Sequence, residues 1–210
     1  MERNDRGAPP PDLPPDLPPA ASAPAPRPAE ATLAVDRAQA LSEAELTELA
    51  EAAAAAIMDG GGFGWVKPQP RDTLARYFRG VLLVPERSLF VARLDGTIVG
   101  AAQLVRPPRN NEAQAFSGQF THFFIAPYAR GHGLARLLIR RVEEYAAAIG
   151  VRVLNLDVRE TQESAIHLFE AAGFVRWGTH PAYAQVGGRV IAGHFYFKRL
   201  AATGRRAKDS

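Results

Sequence analysis

The chain of 210 residues contains no cysteine, which excludes a disulfide framework, a thiolate metal site and a cysteine nucleophile. No run of apolar residues approaches the length that a membrane span requires, and the polar, proline-rich N-terminus lacks the apolar segment of a secretory signal. The length fits one domain plus a tail. Together these observations predict a cytoplasmic protein with no membrane partner.

A strong charge of either sign is also missing, because the formal net charge is only +3. Much of the positive charge lies near the C-terminus, on Lys198, Arg199, Arg205, Arg206 and Lys208. We interpret residues 201–210 as a basic C-terminal tail. This tail has no interleaved aromatic residues that could stack on bases, so nucleic acid is not an expected partner.

Proline, by contrast, is concentrated at the start of the chain. Residues 1–30 hold ten of the 17 prolines and repeat Pro-Pro-Asp-Leu between Pro10 and Leu17. Such a composition cannot bury a hydrophobic core, so it predicts a disordered, partly polyproline-II tail. A solvated leader is favoured over a docking segment, and the folded domain is expected over residues 31–200.

Secondary-structure signals fill this domain, among them a capping box at Ser42–Glu45 and the hairpin signal Asp95-Gly96. The predicted elements are, in chain order, the strand Thr32–Val35, a helix from Ser42 to Met58, a helix after Pro70, strands Ser88–Leu94 and Thr97–Val105, a strand ending before Pro127, a helix after Gly133, the strand Val151–Val158, a helix capped by Thr161 and ended by Gly173, and strands Phe174–Trp177 and Val190–Phe197. Two loops lie between these elements. The loop 60–65 is either the border of a substrate mouth or a plain connector, and the loop 179–189 is long enough to close over a small ligand.

The stretch from Gln119 to Ala135 organises the remainder of the domain. It reads as a strand, a turn with Gly131 and Gly133, and the start of a helix. Glycines let an anion approach the backbone, and the N–H groups and dipole of a helix N-terminus attract a phosphate. A Walker loop is excluded because Leu134, and not Lys followed by Ser or Thr, comes after Gly133.

The hexapeptide from Arg130 to Ala135 resembles the acetyl-CoA pyrophosphate loop of the GNAT superfamily of N-acetyltransferases, Gln/Arg-x-x-Gly-x-Gly/Ala. Residues 165–174, AIHLFEAAGF, resemble the Ala-Ile-x-Leu-Tyr-Glu-x-x-Gly-Phe signature of that superfamily. The resemblance covers roughly residues 31–200. It implies an α/β fold, a single domain whose mixed, mostly antiparallel sheet of about seven strands splays at the acetyl-CoA site and is flanked by about four helices.

The activity that this resemblance implies is transfer of acetyl from acetyl-CoA to the primary amine of a small, amino-acid-like molecule, without a metal. Looser similarity to the tabtoxin-resistance group of acetyltransferases, around Pro181, Tyr183 and Tyr196, favours such an acceptor. The alternatives are a protein or peptide N-acetyltransferase and a non-catalytic acyl-CoA-binding module of the same fold. A homodimer is compatible with all three.

The resemblance also assigns residues to the donor site. Acetyl-CoA would place its pyrophosphate on the loop and its pantetheine along the strand before it, with the contacts made by Phe124, Ile125, Ala126, Arg130, Gly131, His132, Gly133, Leu134 and Ala135. Gln162 stands where the family has an asparagine that contacts the cofactor. Phe169 stands where the family has a tyrosine that protonates the departing thiolate, and a phenylalanine cannot donate a proton.

The catalytic base is the second departure from the family, because the strand before the loop carries Gln119, Thr121 and His122 but no glutamate. The base is either His122, which would give an acidic limb near the ordinary pKa of histidine, or Asp157. Each has a structural alternative, as a core histidine or as a carboxylate that a buried strand pairs with a partner. Tyr196 is the first candidate for the acid, with Tyr183 and Tyr128 as alternatives.

Overall fold

The structure, a computed structural model, describes residues 31–61 and 64–201. The expected tails 1–30 and, apart from Ala201, 201–210 therefore lie outside the described residues. Within them, the elements in chain order are β1 (Leu33–Ala38), α1 (Glu43–Met58), α2 (Arg71–Leu82), β2 (Arg87–Leu94), β3 (Thr97–Val105), β4 (Ser117–Ile125), α3 (Leu134–Ala148), β5 (Val153–Arg159), α4 (Glu163–Ala171), β6 (Val175–Val186) and β7 (Arg189–Arg199). Single turns of 3-10 helix precede β4 and α3, at Glu112–Gln114 and Pro127–Ala129.

The predicted capping box at the start of α1 is confirmed. The Ser42 hydroxyl accepts a bond from the Glu45 backbone N–H at 3.3 Å, and a Glu45 carboxylate oxygen accepts one from the Ser42 N–H at 2.8 Å. Glu45 also pairs with Arg93 of β2 at 2.5 Å. The Ser42 N–H first, and Arg93 second, lower the pKa of Glu45 to about 2. The box therefore fixes both the start of α1 and its position on the sheet.

Seven strands form one sheet in the order β1-β2-β3-β4-β5-β7-β6. Every neighbouring pair is antiparallel except β4 and β5, which run parallel. The two parallel strands pair only over Ser117–Gln119 and Val153–Asn155, and beyond that point they diverge. The predicted mixed, mostly antiparallel and splayed sheet is confirmed, and its splay leaves an opening between the ends of β4 and β5.

Helices cover both faces of the sheet, because each face carries its own apolar cluster. On one face α1 and α2 pack against the sheet through Leu49, Leu74 and Phe78, which are fully buried. On the other face α3 and α4 do so through residues that include Leu138 and Phe169. Burial of this kind supplies most of the free energy of folding. Among the described helices, none combines the length and the apolar character that crossing a bilayer requires.

Two sequence-based expectations about the end of the domain are wrong. Thr161 does not cap α4: a turn in which the Gln162 N–H donates to Arg159 O shifts the start, and Gln162 precedes the helix without a side-chain cap bond. The expected loop 179–189 is strand, since β6 continues to Val186 and turns at Gly187-Gly188 into β7. A register shift between His180 and Ala184 accommodates Pro181, which an edge strand tolerates.

Candidate active site

A cavity of about 580 Å³ opens where β4 and β5 diverge. Half of the residues that line it come from these two strands, residues 120–123 of β4 and 156–159 of β5. The start of α4, residues 183–185 of β6, and Gly64 and Val66 from the connection between α1 and α2 complete it. The loop 60–65 therefore borders the cavity, although Gly62 and Phe63 lie outside the described residues. A volume of this size suits a small ligand.

His122 reaches the cavity from an irregular point of β4. Its φ angle is +53°, and the pairing of β3 with β4 shifts register between Ala101 and Gln103 opposite it. Such a bulge redirects a side chain, at a conformational cost for a residue other than glycine. The imidazole stacks on the ring of Tyr77 from α2, with centroids 5.7 Å apart and planes inclined by 28°. Its Nδ1 lies 3.1 Å from the Thr121 hydroxyl.

A buried polar chain approaches His122 from β2. Arg87 donates to Gln103 Oε1 at 2.8 Å, and Gln103 Nε2 donates to the Tyr77 hydroxyl at 3.1 Å. Gln103 is completely buried, so these bonds satisfy an amide that would otherwise be costly. Burial first, and the charge of Arg87 second, lower the pKa of His122 to about 4, while Asp157 opposes the shift. The imidazole is therefore neutral at neutral pH, and an acidic limb due to it moves far below the ordinary histidine range.

Asp157 faces the cavity from β5. The expectation that this aspartate is buried within an apolar strand is wrong, because β5 alternates and Asp157 lies on its exposed side, between buried Leu156 and Val158. One carboxylate oxygen accepts from Gln119 Nε2 at 2.9 Å, and the other accepts from the Tyr183 hydroxyl. Both donors are neutral groups, so the negative charge of Asp157 is held in place without being cancelled.

Tyr183 owes its position to a glycine on the neighbouring strand. A Cβ atom on Gly193 would overlap with Cγ of Tyr183, so the ring rests directly on the backbone of β7. Burial first, and then the bond to Asp157, raise the pKa of the Tyr183 phenol well above its usual value. The phenol therefore keeps its proton at neutral pH. Sequence reasoning placed Tyr183 in a loop; the signal that it missed was a glycine inside the last strand.

The glycine turn before α3 has the backbone that an anion site requires. Gly131 and Gly133 have φ angles of +87° and +88°, and a Cβ on either would meet only open space. Leu137 N–H donates back to Gly133 O at 3.2 Å, as the first regular bond of the helix. The N–H groups that precede it are directed out of the helix start. The loop itself is exposed, which leaves room for a bulky phosphate.

Residues 49–174 match the profile of the acetyltransferase (GNAT) family. The chain belongs to the GNAT family. The chain is also 59% identical over 128 residues to an uncharacterised N-acetyltransferase encoded in the hisH-hisA intergenic region of Azospirillum brasilense, a match that covers 61% of this chain and 76% of that protein. The predictions of an N-acetyltransferase and of acetyl-CoA as its co-substrate are thereby confirmed.

Other relatives extend the likeness. N-alpha-acetyltransferase RimI of Mycobacterium tuberculosis is 30% identical over 115 residues, 53% of this chain and 66% of that protein. An N-acetyltransferase from Staphylococcus aureus Mu50 superposes with a TM-score of 0.69 at 21% identity, over 81% of this chain and 99% of its own. A Salmonella typhimurium protein solved with its cofactor acetyl-CoA gives a TM-score of 0.66 at 17% identity, over 85% and 98% of the two chains. Identities this low show the shared fold.

The donor residues that the GNAT resemblance predicts lie along one path, from the end of β4 into α3. β5 pairs with β4 only as far as Gln119, so the edge of β4 from Phe120 onward borders the cavity. Ile125 O accepts from Arg130 Nε at 3.3 Å, and Ala126 N–H donates to Val99 O at 2.8 Å. The Ile125 carbonyl and the Ala126 N–H therefore already have hydrogen-bond partners. A pantetheine chain would have to pair with backbone groups of β4 that precede Ile125.

The side chains of the loop hold it in place. Arg130 Nη1 lies 2.6 Å from Asp59 just after α1, and His132 Nδ1 lies 3.4 Å from Ala129 O. Leu134 is buried and Ala135 half-buried under the helix. The side chain of Arg130 therefore anchors the loop, and main-chain N–H groups are what the loop offers to an anion.

Of three further residues that the sequence predicts for the site, two line the cavity and one does not. Gln162 lines the cavity, and its Nε2 donates to Gly60 O at 2.8 Å. Phe169 lines the cavity among the rings of Phe120 and Phe123. Tyr196 is completely buried, its hydroxyl donates to Glu170 at 3.0 Å, and it does not line the cavity. The structure thus brings together His122, Asp157 and Phe169 and places Tyr196 elsewhere.

No set of three or more His, Asp or Glu side chains that could hold a metal ion occurs within residues 31–61 and 64–201.

Proposed function

We propose that this GNAT protein transfers acetyl from acetyl-CoA to the α-amine of a small, amino-acid-like molecule. One observation carries the proposal: burial and the charge of Arg87 make the imidazole of His122 a weak base. The pKa of His122 is lowered to about 4, and Asp157 accepts hydrogen bonds at both oxygens. Deprotonating an amine of pKa ~8 costs only about 1 kcal/mol at pH 7, whereas a lysine-like amine costs roughly 4–5 kcal/mol. A site with weak bases therefore suits an α-amine.

In this proposal the residues of the cavity divide the work. The charge of Asp157 attracts the ammonium form of the acceptor, and Tyr183 and Gln119 keep the carboxylate oriented. Neutral His122 accepts the proton that the amine loses as it attacks, directly or through water. The amine nitrogen bonds to the carbonyl carbon of the thioester of acetyl-CoA, the C–S bond breaks, and CoA leaves as a thiolate that takes up a proton afterwards.

Tyr183 is better placed than Tyr196 to act as the acid because it lines the cavity, but its raised pKa and its bond to Asp157 make it a weak acid. The reaction needs little help from a proton donor. A thiol has a pKa near ~8.5, so the departing sulfur is stable as an anion close to neutral pH. The phenylalanine at position 169 is then tolerable, and Tyr196 stays a prediction without support from its position.

Free thiol release in the presence of acetyl-CoA and a panel of amines tests the proposal. Because the chain has no cysteine, the protein itself contributes no thiol to the signal of a thiol-reactive dye. The panel contains free amino acids, polyamines, aminoglycosides and peptides, and the highest kcat/KM is expected for free amino acids. Turnover of polyamines alone contradicts the proposal, and binding of acetyl-CoA without any turnover indicates the non-catalytic module instead.

A peptide N-terminus is the second candidate acceptor, since it too is an α-amine of low pKa. The likeness to N-alpha-acetyltransferase RimI favours it. The cavity, closed on one side by Tyr183 to Gln185 of β6, favours a small molecule. A cytoplasmic location and a homodimer stay predictions.

A further inference from the structure

The cavity contains two opposite charges on one face of β5. Asp157 and Arg159 are separated by one residue, so both side chains leave the strand on the same side, with Cα atoms about 6.5–7 Å apart. Both line the cavity. The neutral partners of Asp157 do not cancel its charge. The wall of the cavity therefore presents a negative and a positive group side by side.

Arg159 forms no ion pair with a carboxylate in the part of the chain that the structure describes, since its neighbour Asp157 is held by Gln119 and Tyr183 instead. Its Nη2 donates to Gly60 O at 3.0 Å, which uses a donor without neutralising the cation. The charge is close enough to Tyr183 to oppose the rise in the pKa of that phenol. Arg159 is thus a partly buried guanidinium beside the polar groups of the cavity.

Holding the loop does not require this charge. Gln162 donates to the same carbonyl, Gly60 O, at 2.8 Å, and it is neutral. A guanidinium also carries five N–H donors in a fork that matches a carboxylate. Arg159 therefore has both the charge and the donors to bind an anionic group in the cavity while its contact with the loop persists.

We propose that Arg159 recognises the α-carboxylate of the acceptor and thereby restricts the enzyme to free α-amino acids. The proposal rests on the proposed function and adds the residue that selects the substrate. An α-amino acid carries its ammonium and carboxylate on one carbon, so the first lies toward Asp157 and the second toward Arg159. A peptide N-terminus offers a neutral amide at that position, and Arg159 then has no anion to bind.

The test compares each amino acid that the wild type acetylates with its carboxamide. The measured quantity is the discrimination factor, kcat/KM for the acid divided by kcat/KM for the amide. Differences in amine pKa cancel when the factor of a variant is divided by that of the wild type. Arg159→Gln should lower the factor roughly 10- to 100-fold, as expected for one charge-assisted contact, and Arg159→Lys should recover part of it.

Gln162→Ala serves as the matched control because it removes the other bond to Gly60 O without changing the charge. Its discrimination factor should stay within about twofold of the wild type, whatever happens to the KM for acetyl-CoA. An equal fall in Gln162→Ala would mean that loop anchoring sets the factor and would overturn the proposal. So would an unchanged factor in an active Arg159→Gln. If that variant does not fold, an unchanged factor in an active Arg159→Met would overturn it too, because methionine keeps an unbranched side chain and removes both the charge and the N–H donors.

The substrates of the wild type distinguish a failure of the Arg159 assignment from a failure of the proposed function. If it acetylates α-amines but prefers the carboxamides or peptides, the assignment of Arg159 is wrong while N-acetylation of α-amines stands. If it acetylates no α-amine in the panel, the proposed function fails, and the assignment fails with it.

Discussion

The proposed site has a donor half, for acetyl-CoA, and an acceptor half, for the amine, and the two are built in different ways. The donor half uses main chain: Gly131 and Gly133 at positive φ, followed by the start of α3. The acceptor half uses side chains that four separate elements bring together, among them His122, Asp157 and Tyr183. A site made of backbone depends on a short local sequence, whereas a site made of side chains depends on the whole sheet. One substitution in the donor half should therefore abolish most of the affinity for acetyl-CoA. One substitution in the acceptor half should lower kcat/KM for the amine only partly.

Gly133→Glu should have the largest effect, because it adds a side chain and a negative charge where a pyrophosphate is expected. Calorimetry should show acetyl-CoA affinity reduced by roughly 10²-fold or more. Gly150→Glu is the matched control: Gly150 lies just beyond the other end of α3, also has a positive φ, of +90°, and also faces open space. Both variants share the cost of a left-handed residue, about 1–2 kcal/mol. Unchanged affinity in Gly133→Glu would remove the loop from the donor site.

Gly193→Ala should come second and act on the acceptor half alone. The added methyl collides with the Tyr183 ring, which must then leave Asp157. We expect kcat/KM for the amine to fall about tenfold, with unchanged affinity for acetyl-CoA. Gly178→Ala, on the adjacent strand with open space around its Cβ, is the control and should behave as wild type. A parallel loss of acetyl-CoA affinity would contradict the separation of the two halves.

His122→Gln should leave stability at neutral pH nearly unchanged and act on a different quantity, the dependence of the free energy of unfolding on pH. The folded pKa of His122 is about 4 against an ordinary 6.5, so the unfolded chain takes up the proton first as pH falls. The stability that neutral His122 preserves is present above pH 6.5 and is lost as pH falls toward 4. Wild type should lose up to about 3 kcal/mol more than the variant over this window.

Thermal melts between pH 7 and pH 4 measure this difference. The low pKa of Glu45, about 2, acts below pH 4.5 and is common to both proteins, so it does not interfere. In the rate profile, the acidic limb above pH 6 should belong to the substrate amine and persist in His122→Gln. A limb near pH 6.5 that the substitution abolishes would show that His122 titrates normally.

Deletion of residues 1–30 should have the smallest effect. Their composition cannot supply a hydrophobic core, so steady-state rates for both substrates and the melting temperature should stay nearly unchanged. A large fall in either quantity would mean that this segment contributes to one half of the site.

The comparison also explains what the sequence could predict. The hairpin at Asp95-Gly96, the capping box and the Arg130–Ala135 loop depend on neighbours in the chain, and the corresponding elements were predicted from residue types alone. The position of Tyr183 depends on Gly193, ten residues away on another strand, and on a bulge that turns an expected loop into strand. The low pKa of His122 depends on burial and on Arg87 from β2, which no local pattern reveals.

The burial of Gln103 limits which substitutions this enzyme can accept during evolution. Its amide is buried completely and joins Arg87 to Tyr77, on which His122 stacks. An apolar residue at position 103 would leave two partly buried polar groups, the guanidinium of Arg87 and the hydroxyl of Tyr77, without these hydrogen bonds. Positions 77, 87 and 103 should therefore covary: a library that varies one of them will return mostly inactive clones, whereas joint replacement of all three by apolar residues can restore folding.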